Sequence, residues 1–170
     1  NSYRQSGKVI CTSEQEELMD NYLTPTTVDD IAYLAPRLRK ADHQECLAAL
    51  GREPLGVLLE SLQTGDLTLT MWSPTGLRVG LVGVGPSYIA DAGAVWLCAT
   101  DDIYQCQMAF LRKSKEFLPL LQARYLALFN HVDARNTAHI KWLKWMGFTF
   151  INKHEKFGAE QRLFYEFVRI

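Results

Sequence analysis

The chain has 170 residues, of which 48% are hydrophobic and 22% charged, with a formal net charge of −1 at pH 7. That length suits one domain with a real core, and those proportions are ordinary for a globular protein in water. A balanced charge gives no general attraction to nucleic acid or to an anionic membrane, and no apolar run approaches the ~20 residues of a membrane span.

Residues 1–18, "NSYRQSGKVICTSEQEEL", are polar and irregular. They read as a leader or flexible N-terminal arm, with Met19 opening a single domain at 19–170. No secretory signal is legible. "DNYLTPTT" (20–27) predicts a short strand ending in Pro25. Thr27 with Asp30 three residues on is a capping pattern, and Val28, Ile31, Leu34 and Leu38 recur at helical spacing. Asp42 and Glu45 form a second such pair before "CLAAL", which Gly51 stops. Pro54 opens a third helix, "PLGVLLESLQ", closed by Gly65.

The period then changes. "DLTLTMW" (66–72) alternates, "SPTG" turns, and "LRVGLVGVG" (77–85) returns, which predicts a hairpin. "AVWLCAT" (94–100) is a further strand. A long amphipathic helix follows at 104–125, with Pro119 as its expected bend. "LALFNHV" (126–132) is a strand. "TAHIKWLKWM" (137–146) is a helix with Asn136 as cap and Gly147 as stop. "FTFIN" and "RLFYEFVRI" close the chain as two strands joined through "KHEKFGAEQ". The order predicts an α+β domain (an α/β mixed sheet) with helices on both faces.

The chemistry-bearing residues are few. Cys11, Cys46, Cys98 and Cys106 form no C-x-x-C pair, so reduced thiols in a cytosolic setting are expected. Cys98, His131 and Asp133 stand near the ends of two strands that should be neighbours, where a nucleophile and base could meet. A buried thiol and a hydrogen-bonded histidine are the plainer expectation. His139 reads as a structural histidine or a base. His131, His139 and His154 have no metal-ligand spacing, so no metal site is expected. On the last helix, Ile140, Leu143 and Met146 form an apolar stripe that Trp142 widens. Lys141 and Lys144 then face solvent, and with Arg112, Lys113 and Lys115 they make at most a modest basic patch, which argues against nucleic-acid binding.

The element order, with "N-x-x-H-I-K-W-L-K-W-M-G-F" near the end, resembles the GNAT fold of N-acetyltransferases. "WLCATDD" and "HIKWLK" also resemble a family of GNAT-like proteins of short-tailed bacteriophages, labelled internal virion protein A or acetyltransferase-like. The resemblance implies a central mixed sheet whose strands at 94–100 and 126–132 are parallel and splay apart. It implies acetyl-CoA with its pantetheine arm in that V, contacted by Leu97, Cys98, Ala99 and Asn136. It implies pyrophosphate on amides at the start of the long helix, where helix N-termini favour anions. It also implies a tyrosine seven residues after the asparagine, to protonate the departing thiolate.

Two features depart from that pattern. The phosphate turn reads "ATDDIYQCQM", and no glycine occurs between Gly93 and Gly147. Asp101 and Asp102 stand where phosphate would arrive, and each like-charge pair at ~4 Å costs about 4 kcal/mol at an effective dielectric near 20. The seventh residue after Asn136 is Leu143, which donates no proton. Acetyl-CoA binding is therefore expected to be weak or absent. The reading is a phage-encoded GNAT-fold protein for assembly or partner binding, in the virion or host cytoplasm and not secreted. The alternative is an acyl-CoA-dependent N-acyltransferase with a non-standard cofactor site. An amine substrate, a protein partner and a homodimer all remain open.

Overall fold

The computed structural model describes residues 22–170; the expected leader at 1–18 lies outside the described residues. The strands are β1 (Leu23–Pro25), β2 (Leu67–Trp72), β3 (Arg78–Pro86), β4 (Ala92–Ala99), β5 (Ala127–Asp133), β6 (Thr149–Phe157) and β7 (Arg162–Arg169). The helices are α1 (Val28–Leu34), α2 (Lys40–Leu50), α3 (Pro54–Thr64), α4 (Ile103–Gln122) and α5 (Thr137–Trp145). The strands form one sheet in the order β1-β2-β3-β4-β5-β7-β6. Every neighbouring pair is antiparallel except β4 and β5, whose crossover through α4 makes them parallel. The mixed sheet expected from the sequence is present.

Side chains alternate across the sheet and supply two apolar layers. Val95, Leu97 and Ala99 face a core with Phe110, Phe117 and Leu121 of α4 and Trp142 and Leu143 of α5. Cys98 and Leu81 face the other way, against Ile31 and Leu34 of α1 and Leu58 of α3. Helices therefore cover both faces. Trp96 shares the second layer and lies over Gly83 of β3. A Cβ at Gly83 would sit 2.4 Å from the indole, so only glycine seats that tryptophan.

Local chemistry explains the element ends. Thr27 and Asp30 form a reciprocal capping box at the start of α1. Pro36 lacks an N–H, so α1 gives way to a 3₁₀ turn at Ala35–Arg37 and does not continue to Leu38. Val28, the first residue of α1, is exposed and not part of the buried stripe. Gly51 ends α2 with φ +64°, the left-handed conformation glycine adopts without strain.

Several expectations are corrected. Of the strand expected at 20–27, Leu23–Pro25 is strand among the described residues. Asp42 does not cap a helix: α2 begins at Lys40, and Arg39 is its N-cap without a side-chain bond. The long helix departs from helical geometry at Cys106 (φ −126°, ψ 18°), and Pro119 sits inside the helix near its end. The connection before the last strand is shorter than "KHEKFGAEQ", because β6 runs on to Phe157 and only a tight turn remains.

Asp30 locks the β1–α1 corner to the sheet. Its carboxylate accepts from the Thr27 amide (2.9 Å), the Thr70 hydroxyl (3.0 Å) and Arg78 Nε (2.6 Å). Burial pushes its pKa up, but the Thr27 amide, Arg78, Thr70 and the Thr27 hydroxyl together hold it below the usual value. A depressed carboxylate contributes stability that is present above the unfolded pKa and lost as pH falls through the folded one. Asp30→Asn should therefore lose roughly 2 kcal/mol in urea denaturation at neutral pH. The gap from the wild type should close as the pH is lowered below the ordinary aspartate range.

Candidate functional site

β4 and β5 pair over a short stretch, Ala92–Ala94 against Ala127–Phe129. Asn130 then bridges the widening gap: its Nδ2 donates to the Val95 carbonyl at 2.9 Å, and its Oδ1 accepts from the His131 amide at 2.8 Å. Past Asn130 the strands part and leave a V open toward their C-terminal ends. The expected parallel, splayed pair is present.

The mouth of that V is filled by the protein itself. The Arg39 amide donates to the Ala99 carbonyl (2.8 Å), and the Ala99 amide donates to Asp42 Oδ2 (2.9 Å). The end of β4 thus finds its missing partners on α2. Arg39 and Asp42 form a fork-to-fork ion pair, with Nε on Oδ2 at 3.0 Å and Nη2 on Oδ1 at 2.7 Å. Both side chains are 3% exposed, which marks this as a fully desolvated pair rather than a surface one. The guanidinium also donates to the Tyr104 hydroxyl (3.1 Å) and to Asn136 Oδ1 (3.3 Å), and lies 4.6 Å from the Trp142 ring centroid. Arg39 starts beside α1 and α2 and ends against α4 and α5. Its side chain therefore crosses from one face of the sheet to the other through the V.

Asn136 closes the network. Its Oδ1 accepts from the His139 amide at 3.4 Å and so caps α5, as expected. Its Nδ2 donates to Asp42 Oδ1 (2.9 Å) and to Glu45 Oε2 (2.6 Å). Both polar atoms of Asn136 are engaged, and the residue is buried. Beside it, His139 Nδ1 is buried without a hydrogen-bond partner, with Glu45 Oε2 at 3.9 Å.

At the start of α4 several backbone amides are bonded within the protein. The Thr100 amide donates to Val79, and the amides of Ile103, Tyr104 and Gln105 bond back to Thr100, Asp101 and Asp102. Among the described residues this leaves the amides of Asp101 and Asp102, each beside its own carboxylate. Leu143 is buried in the core where a proton donor would be needed.

Beneath the network, on the α2–α3 side of the sheet, lies a cavity of about 350 Å³. Its walls are largely apolar, with Val57, Leu58, Trp96 and Phe164, and Asp42, Glu45 and His131 supply polar groups. Cys98 and His131 both line this cavity, but no hydrogen bond joins them. Burial, followed by the nearby Asp42 charge, pushes the Cys98 thiol well above its ordinary pKa, so it stays protonated. Asp133 does not orient His131; it forks onto Arg135 and turns the chain into α5. The nucleophile–base arrangement suggested by Cys98, His131 and Asp133 is not assembled, because both carboxylate oxygens of Asp133, at the end of β5, are taken by Arg135.

Of the residues expected to contact a cofactor, Ala99 and Asn136 meet through Asp42, Leu97 packs toward α4 and α5, and Cys98 faces the opposite side. Arg39 and Asn130 carry the site without having been singled out from the sequence, and Glu45 was read there only as half of a capping pair. Arg39, Asp42 and Glu45 recur every three residues along one helical row, the one visible signal. Their partner Asn136 is more than ninety residues away, which hides their burial.

Solved structures share this architecture. Ard1 from Thermoplasma volcanium superposes with a TM-score of 0.64 at 15% identity, covering 87% of this chain and 95% of that one. The ribosomal-protein-S5-alanine acetyltransferase from Vibrio fischeri gives 0.57 at 16% identity, over 87% and 91%. A Bacillus subtilis acetyltransferase in complex with CoA gives 0.59 at 11%, over 86% and 94%. The fold is the GNAT fold. Residues 82–155 also match the family model described as Bacteriophage T7, probable scaffold protein Gp13. That stretch contains both "WLCATDD" and "HIKWLK", the strings behind the phage resemblance. No curated protein matches the sequence.

Within this GNAT fold, removing one partner of the buried ion pair is a costly change. Asp42→Ala should cost about 3–5 kcal/mol in chemical denaturation, because it strands a buried guanidinium. Glu45→Ala should cost only about 1 kcal/mol, since it removes one hydrogen bond at a partly exposed site.

Proposed function

We propose that this chain keeps the GNAT fold without acyl transfer and serves as an assembly or partner-binding protein of a phage, acting in the virion or in the host cytoplasm. The observation that carries the reading is Arg39. Its side chain runs through the V to Asn136, Tyr104 and Trp142, where the GNAT pattern would put the pantetheine arm. Three further features support it: the Ala99 amide already bonded to Asp42, carboxylates at the phosphate turn, and leucine at position 143. The match of residues 82–155 to a phage scaffold-type family supports the phage setting. A fold shared with enzymes does not carry their chemistry with it.

If acetyl-CoA did bind, Asn136, Ala99, Cys98 and Leu97 would be its neighbours, and Arg39 would first have to leave the V. Displacing a buried, paired arginine costs several kcal/mol. That is comparable with the whole free energy of a millimolar ligand, about 4 kcal/mol.

A second reading, an acyl-CoA-dependent N-acyltransferase with a non-standard cofactor site, is favoured by the cavity. Its volume of about 350 Å³ suits a small ligand, and Glu45 could attract an amine. Titration calorimetry with acetyl-CoA separates the two. The assembly reading predicts no heat at millimolar ligand and no acetyl transfer from labelled acetyl-CoA to polyamines or peptide amines. Micromolar binding would overturn it in favour of the acyltransferase.

A further inference from the structure

We propose that His131, His154 and Glu166 form a binding site for a divalent transition-metal ion of the zinc class. The linear sequence shows no such pattern, because the ligands come from three strands and only the sheet register collects them. His131 on β5 lies directly opposite Glu166 on β7, and His154 on β6 lies opposite Phe164, two residues before Glu166. All three side chains therefore share one face of the sheet. Their ligand atoms lie within 4.8 Å of one another.

The distances suit a small, imidazole-preferring cation. His154 Nε2 is 2.9 Å and His131 Nε2 is 4.0 Å from Glu166 Oε2. A tetrahedral zinc with bonds of about 2.0–2.1 Å sets neighbouring ligand atoms roughly 3.3–3.5 Å apart. The two separations bracket that value, so shifts of about half an ångström would complete the geometry. Two imidazoles and one carboxylate favour zinc, cobalt or nickel over magnesium or calcium, which prefer all-oxygen sites.

The site is also held in place before any ion arrives. The His131 ring stacks on Phe157 (centroids 4.3 Å, planes 25° apart). Asn152 Nδ2 donates to Glu166 Oε2 at 3.1 Å and steadies the carboxylate. Lys153, one residue along the strand from both Asn152 and His154, pairs with Glu155 instead of Glu166. The other grouping of this kind, Asp42, Glu45 and His139, is less suited. There Arg39 already neutralises Asp42, and Asn136 donates to both carboxylates. Three protein ligands leave a fourth position open. Because His131 and Phe157 also line the cavity, the ion would stand at its edge, available to water or to an electron-pair donor held inside.

The test uses the full chain, stripped with chelator and titrated with zinc chloride, with cobalt(II) absorption as a second readout. One ion per chain is expected at micromolar affinity or better, with cobalt bands of four-coordinate intensity. His154→Ala, at a partly exposed edge-strand position, and Glu166→Gln should each weaken zinc binding by at least about tenfold. His43→Ala and the double variant Cys46→Ser/Cys106→Ser should bind as the wild type does. Failure to bind zinc at millimolar ion would overturn the proposal. So would equal binding by His154→Ala, or loss of binding in the cysteine variant, which would put the ion on thiols.

Discussion

The buried pair of Arg39 and Asp42 is the constraint on which the upper half of this molecule depends. Removing two charges from water costs several kcal/mol each, and attraction between them repays that only when the remaining hydrogen-bond capacity is used. Here it is used. The guanidinium reaches Asp42, Asn136 and Tyr104 and packs on Trp142, and Asp42 takes the Ala99 amide as well. Four separate elements, α2, β4, α4 and the cap of α5, are thereby fixed to one another at the open end of the sheet.

A splayed pair of parallel strands creates a backbone problem, since the edges that part lose their ladder partners. Buried amides and carbonyls must be satisfied in some way. The GNAT pattern solves this with a cofactor. This chain solves it at the start of α2, where the Arg39 amide meets the Ala99 C=O and the Asp42 carboxylate meets the Ala99 N–H. The same polar groups cannot serve two partners at once. A structural solution of the splay and a cofactor site therefore compete for the same space, and on the proposed reading the structural one holds it. The apolar layers on each face of the sheet are unaffected, which is why the fold persists with its cleft filled.

Much of this was legible in the sequence and some of it was not, for physical reasons. Alternation at 66–85 and 94–100, the Thr27–Asp30 box and the Asn136–Gly147 frame all reflect local periodicity and capping, and they map onto β2, β3, β4, α1 and α5. The departure of the phosphate turn from the GNAT pattern was legible in the missing glycine and in Asp101 and Asp102, because backbone approach and charge are local properties. Asp42 was misread because a helical carboxylate has the same local spacing whether it caps a helix or pairs with an arginine inside the protein. The meeting of His131, His154 and Glu166 depends on the registers of β5, β6 and β7, and register is a pairing between distant segments. The departure from helical geometry at Cys106 shows the same limit, since no proline or glycine marks that position in the sequence.

Amide hydrogen exchange at Ala99, read by NMR, tests the central claim most directly. If Asp42 holds this amide and Arg39 fills the V, Ala99 exchanges slowly in the free protein. Acetyl-CoA at millimolar concentration then leaves it unchanged, and Asp42→Asn or Asp42→Ala accelerates it. An Ala99 amide that exchanges fast in the free protein and becomes protected only when acetyl-CoA is added would contradict the account. It would mean that the cleft is open in solution and that the cofactor, not the ion pair, completes it.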